Sequence, residues 1–205
     1  MYGSDSNTDS KTPDLKRRRM LVNATAGVGV IGAAAFAAPL LASWMPSARA
    51  KAAGAPVEVN ISKIEPGQLV RVIWRGKPVW MIKRSAATLA DMASNVTLLA
   101  DPESSVGSQQ PTYAQNESRS RKPEMMIAIG ICTHLGCSPT YVPEIGDASM
   151  GAAWKGGFFC PCHGSSFDMA GRVFKNVPAP TNLVVPPHFY KSDDIVLIGE
   201  DGGAA

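Results

Sequence analysis

All four cysteines and two of the three histidines of this 205-residue chain lie in fifteen positions. They form two blocks, Cys132-Thr133-His134-Leu135-Gly136-Cys137 and Cys160-Pro161-Cys162-His163-Gly164-Ser165-Ser166-Phe167-Asp168. A fold that uses them together must bring two loops side by side. Four potential thiolates and two imidazoles allow a zinc site, two disulfides, a redox dithiol, or a cluster held by two Cys and two His. A 2Fe-2S cluster with two His on one iron and two Cys on the other needs a thiolate and an imidazole from each loop. Cys132-x-His134 and Cys160-x-x-His163 have that symmetry, and Cys137 and Cys162 then remain, one per block, free to bond in an oxidising compartment.

The amino-terminal end adds a second constraint. Met20 to Trp44 is twenty-five residues without a charge, long enough as a helix to cross a hydrocarbon core of about 30 Å. Lys16, Arg17, Arg18 and Arg19 precede it, so the positive-inside rule places that end in the cytoplasm and the rest of the chain in the periplasm. Paired arginines before an Ala/Gly-rich apolar run also look like a twin-arginine export signal. Ala48-Arg49-Ala50 offers a cleavage sequence, but the run exceeds the about 7–15 residues of a signal core, and Trp44 fits an interfacial anchor, so the helix is expected to be retained. The expected organisation is a basic cytoplasmic segment 1–19, a transmembrane helix 20–44, a flexible hinge 45–56 and a periplasmic domain 57–205.

The net charge of +3 belongs to the amino-terminal part, since residues 51–205 carry fourteen Lys plus Arg and fourteen Asp plus Glu. A neutral body argues against a nucleic-acid partner. Val57–Ile61, Leu69–Trp74 and Pro78–Ile82 read as antiparallel strands joined by tight turns at Pro66-Gly67 and Gly76-Lys77. Ser85–Leu99 reads as a short helix capped by Ser85 or Thr88, and Asp101–Pro123 as a long surface loop. Met125–Ile131 is a buried strand leading into the first cysteine, and Ile195–Ile198 a last strand. The fold class is mainly β, small antiparallel sheets with an inserted subdomain at about 131–180.

The two blocks resemble the C-T-H-x-G-C and C-P-C-H-G-S boxes of Rieske iron–sulfur proteins. The order of anchor, linker and domain resembles that of the iron–sulfur subunits of respiratory cytochrome bc complexes. Gly171-Arg172 and Pro178-Ala179-Pro180-Thr181-Asn182-Leu183 are similar to the proline loop that covers the cluster in that family. The resemblance implies one 2Fe-2S cluster, with Cys132 and Cys160 on one iron, His134 and His163 on the other, a Cys137–Cys162 disulfide, and Ser165 as donor to a bridging sulfide. It also implies His163 as the imidazole that meets ubiquinol, and cytochrome b and a c-type cytochrome as partners in a dimeric membrane complex. Two departures stand out. The 25 residues between His134 and Cys160 exceed the family's usual spacing, so a surface insertion is expected around Pro143–Ala153. Phe167 stands where many respiratory members have Tyr, whose hydroxyl donates to a ligand sulfur; its loss implies a lower potential.

The chemistry of such a ligand set follows from charge. Two ferric ions, two sulfides and two thiolates sum to zero, whereas four thiolates leave a dianion. Adding an electron to a neutral centre costs less, which places His-ligated clusters at roughly −150 to +300 mV. The alternatives are a structural zinc site, a ring-hydroxylating oxygenase domain, which lacks the second Cys pair, and the small Rieske subunit of a periplasmic molybdenum oxidase such as arsenite oxidase. His188 reads as a surface or strand histidine, Asp168 as a cap or turn residue of the second loop, and Trp74, Trp80 and Trp154 as packing residues.

Overall fold

A computed structural model describes residues 14–203. The chain divides into two units, Met1–Arg49 and Ala50–Ala205. In the first, α1 spans Leu15–Ala42. It begins five residues before the uncharged run because the Asp14 side chain accepts from the backbone N–H of Lys16 and Arg17, capping two of the donors a helix start leaves free. The basic residues therefore occupy its first turns. The apolar part from Met20 is about 35 Å long at 1.5 Å per residue, enough to span a bilayer core. The part of the expected 1–19 segment before Asp14 lies outside the described residues.

The expected hinge at 45–56 contains a short helix, α2, Ala48–Ala53. Four alanines with Arg49 and Lys51 are strong helix formers, and the helix stops before Gly54.

The larger unit is built from three three-stranded antiparallel sheets, β1-β9-β8, β2-β3-β4 and β5-β6-β7. The first holds β1 (Val57–Asn60), β8 (His188–Tyr190) and β9 (Ile195–Ile198). The second holds β2 (Leu69–Trp74), β3 (Lys77–Lys83) and β4 (Met125–Ile129). The third holds β5 (Thr140–Val142), β6 (Gly157–Cys160) and β7 (Ser165–Asp168). The β2–β3 hairpin forms around Arg75-Gly76, with φ of 50° and 71°, the left-handed pair that a two-residue hairpin requires. β1 departs from the sequence expectation. It pairs with β9 rather than β2, because its partly buried face, Val57 and Val59, packs into the same cluster as Val196 and Ile198.

The middle sheet is a wall between two cores. Alternate residues of a strand face opposite sides. Val79, Met81, Met125, Ile127 and Ile129 therefore join the β1-β9-β8 side, while Trp80, Ile82, Met126 and Ala128 join the core that contains Cys132, Cys160, Phe158 and Phe167. Trp80 stacks on Phe158 at 5.0 Å, so the wall is keyed to the third sheet by an aromatic pair.

α3 (Ala86–Ser94) is capped by Ser85, as expected. The stretch 101–123 is not a surface loop. Ser104, Gln110, Arg119 and Ser120 are buried, and Gln110 Nε2 donates to Ser104 O at 2.8 Å. Its polar composition serves internal hydrogen bonds rather than water.

Candidate metal centre

The second Cys/His block is a hairpin. β6 ends at Cys160, Pro161–Gly164 turn, and β7 begins at Ser165, with Cys160 opposite Ser165 and Gly157 opposite Asp168. Gly164, at φ 80°, closes the turn by donating its N–H to Cys160 O at 2.9 Å. The hairpin starts at Gly157, where a Cβ would sit 2.1 Å from Phe167 O; only glycine lets the strands approach there.

The first block leaves β4 and folds on itself: Cys132 N–H donates to Cys137 O at 2.8 Å and Gly136 N–H to Cys132 O at 3.1 Å. The chain then enters β5, which pairs with β6, so one short ladder sets the two loops beside each other. Cys137 and Cys162 form the disulfide between them.

The remaining donors sort by exposure. Cys132 and Cys160 are each 2% exposed and unpaired in disulfides, whereas His134 is partly exposed and His163 exposed. The imidazole rings stand 4.8 Å apart and perpendicular. The Cys160 thiol is within hydrogen-bonding reach of Cys132 and is pushed up by burial, against the lowering effect of N–H groups of Cys162 and His163 that point at its sulfur. Such donors favour a thiolate. The Sγ atoms of Cys137, Cys160 and Cys162 lie within 4.8 Å of one another.

The structure thus sets Cys160 beside Cys132 and His134 beside His163. Two buried sulfurs beside two surface imidazoles, with amide donors on one sulfur, are a donor set that fits a cluster needing S,S on one iron and N,N on the other. Ser165 is fully buried, and its Oγ accepts from Ala179 N–H at 3.0 Å, leaving its own proton to donate. The segment Pro178–Leu183 joins both loops through that Ala179–Ser165 bond and through Thr133 Oγ1, which donates to Thr181 O at 2.6 Å. Phe167 is completely buried and has no hydroxyl to offer. Pro143–Ala153 is largely exposed, as expected of an insertion, and is anchored by Trp154, whose Nε1 donates to Val142 O at 3.0 Å.

Asp168 turns the chain after β7. Its carboxylate accepts from the N–H groups of Ala170 and Arg172 at 2.9 and 2.8 Å and pairs with the Arg172 guanidinium at 2.7 Å. His188 lies in β8, away from these loops. It is buried, and desolvation pushes its pKa down to about 4.

Sequence reasoning missed Arg84 and Arg119. Arg84 donates to Ser118 O and Met169 O, and Arg119 to Ala170 O and Gly171 O. Both are buried against the 168–172 turn. Arginines in polar surroundings carry no sequence signal of burial.

Residues 104–187 match the Rieske 2Fe-2S domain family, and residues 7–47 match the ubiquinol–cytochrome c reductase Fe-S subunit TAT signal. The chain is 63% identical over 189 residues to the ubiquinol-cytochrome c reductase iron-sulfur subunit of Allochromatium vinosum, covering 92% of this chain and 91% of the relative. It is 42% identical to that of Blastochloris viridis, covering 93% and 96%. A solved chain described as hyperthermophilic respiratory Complex III is 25% identical with a TM-score of 0.47, covering 83% of this chain and 98% of the other. The chain belongs to the Rieske iron–sulfur subunit family of ubiquinol–cytochrome c reductases and carries a Rieske-type 2Fe-2S cluster.

Proposed function

We propose that this chain is the electron-carrying subunit of a membrane-bound ubiquinol–cytochrome c reductase, in which Cys132, Cys160, His134 and His163 hold the cluster. The observation that carries this reading is the presence, on two loops tied by a disulfide, of two buried thiols and of two imidazoles whose rings stand 4.8 Å apart. When bound, the cluster supplies a one-electron relay. The chain's own residues do the rest. Cys132 and Cys160 present sulfur from the dry side, and the Cys162 and His163 amides stabilise negative charge on Cys160. His163, at the exposed tip of the hairpin, is the imidazole that accepts a hydrogen bond from a quinol hydroxyl and then its proton. Ser165 donates toward the inorganic core, and the disulfide fixes the spacing of the loops.

In this reading α1 anchors the protein with Lys16–Arg19 cytoplasmic and the sheet-bearing unit periplasmic. The linker lets the head move between cytochrome b and a c-type cytochrome, within a dimeric complex whose turnover contributes to proton translocation. The test is low-temperature EPR of reduced membranes, with and without a quinol-site inhibitor. A His-ligated cluster signal whose shape responds to the inhibitor is the expected result. A signal indifferent to it would overturn the quinol assignment and favour a molybdenum-oxidase subunit; no such signal would overturn the ligand set.

A further inference from the structure

Three arginines and one carboxylate are sealed behind the second ligand loop. Arg84, Arg119 and Arg172 are 3%, 1% and 1% exposed, and Asp168 is 0% exposed. Among the described residues Asp168 is the one fully buried carboxylate. Arg172 pairs with it. The terminal nitrogens of Arg84 and Arg119 meet mainly dipoles, the carbonyls of Ser118, Met169, Ala170, Gly171 and Gln109 and the side chains of Ser120 and Gln110, while the Nε of each has no hydrogen-bond partner among the described residues. Dipoles solvate a charge without cancelling it, so the group keeps a net charge of about +2. Asp101, which also faces Arg119, lies at the partly exposed rim and accepts from Ser105. Desolvation lowers both Arg84 and Arg119 to about 10, which leaves them charged at neutral pH.

The group is close to the site. Asp168 lies three rungs along the β6–β7 ladder from the Cys160–Ser165 pair, about 10 Å at ~3.3 Å per residue. Of the two rungs between, Phe158–Phe167 is fully buried and Phe159–Ser166 half-buried, so solvent screens the interaction only in part. Reduction adds one negative charge at the cluster. A fixed positive charge at that range stabilises that product more than the oxidised form.

We infer that the buried arginines Arg84, Arg119 and Arg172, incompletely balanced by Asp168, act as positioning residues whose excess charge raises the reduction potential of the cluster. The inference rests on the ligand set proposed above. It assigns an electrostatic task to residues that otherwise serve only to pin the 168–172 turn, and it compensates in part for the hydroxyl that Phe167 does not supply.

The experiment is a redox titration, followed by EPR, of the intact complex carrying Arg119→Gln, Arg119→Lys or Asp168→Asn. Arg119→Gln should lower the midpoint, Arg119→Lys should leave it near the wild-type value, and Asp168→Asn should raise it. Opposite signs for the Arg and Asp changes are the signature of charge. A purely structural role loosens the same turn in both and moves them in one direction. Shifts of the same sign, or no shift in variants that retain the cluster signal, would overturn the inference. Should Arg119→Gln fail to accumulate, Arg84→Gln against Arg84→Lys decides by the same criterion. A wild-type protein without a His-ligated signal would instead defeat the ligand assignment.

Discussion

The two faces of the β2-β3-β4 sheet look into different interiors. Toward β1-β9-β8 the core is Ile61, Ile64, Trp74, Val79, Met81, Ile127, Val196 and Ile198, a conventional apolar filling whose stability scales with area removed from water. Toward β5-β6-β7 the core includes two free cysteines, and buried charge lies behind it at Asp168 and three arginines. One face supplies a rigid base. The other accepts desolvation costs to hold ligand loops in place, and its stability depends on pairing rather than area.

This contrast makes graded predictions. The largest effect belongs to Arg172→Ala, which leaves the Asp168 carboxylate buried without its partner and should destabilise the head by about 3–5 kcal/mol. Denaturant unfolding should show the loss, and iron per protein should fall with it. Ile127→Ala on the other face, fully buried, should cost about 3 kcal/mol yet leave the EPR signal of the folded fraction unchanged. A changed signal would show that the two interiors are not separable.

A smaller effect comes from His188, the histidine of the base. Its folded pKa near 4 lies below the unfolded value of about 6.5, so protonation favours the unfolded chain. Stability from this residue is complete above pH ~6.5 and lost as the pH falls toward 4, by no more than about 3 kcal/mol. The unfolding free energy of the wild type minus that of His188→Gln should therefore shrink over that window. The smallest structural change is Phe167→Tyr, which restores a donor near the ligand sulfurs and should raise the midpoint in a redox titration. No rise would show that the hydroxyl cannot reach a sulfur from β7.

How much could be read in advance differs between the interiors in the same way. β3 and β4 were legible because their alternation and β-rich composition are local properties, and Ser85 was legible as a cap because its role needs only the next turn. The ligand residues were legible because their chemistry is rare and their spacing specific. The pairing of β1 with β9 was not, since it joins residues more than 130 positions apart and no local signal encodes a partner. Nor was the burial of Arg119. Its neighbours Asn116, Ser118 and Ser120 have the composition of a solvated loop, and only the carbonyls of the 168–172 turn make its burial tolerable.

The division of the donors between Cys132-x-His134 and Cys160-x-x-His163 governs when the site can come into being. Neither block alone holds all four, and the first pair must wait until the β5–β6 rungs close before the second reaches it. Closing that span carries an entropic cost set by its length, met only by the sheet that forms across it. Maturation is therefore late: a half-made head offers iron two bidentate fragments, and only a finished one offers a receptacle.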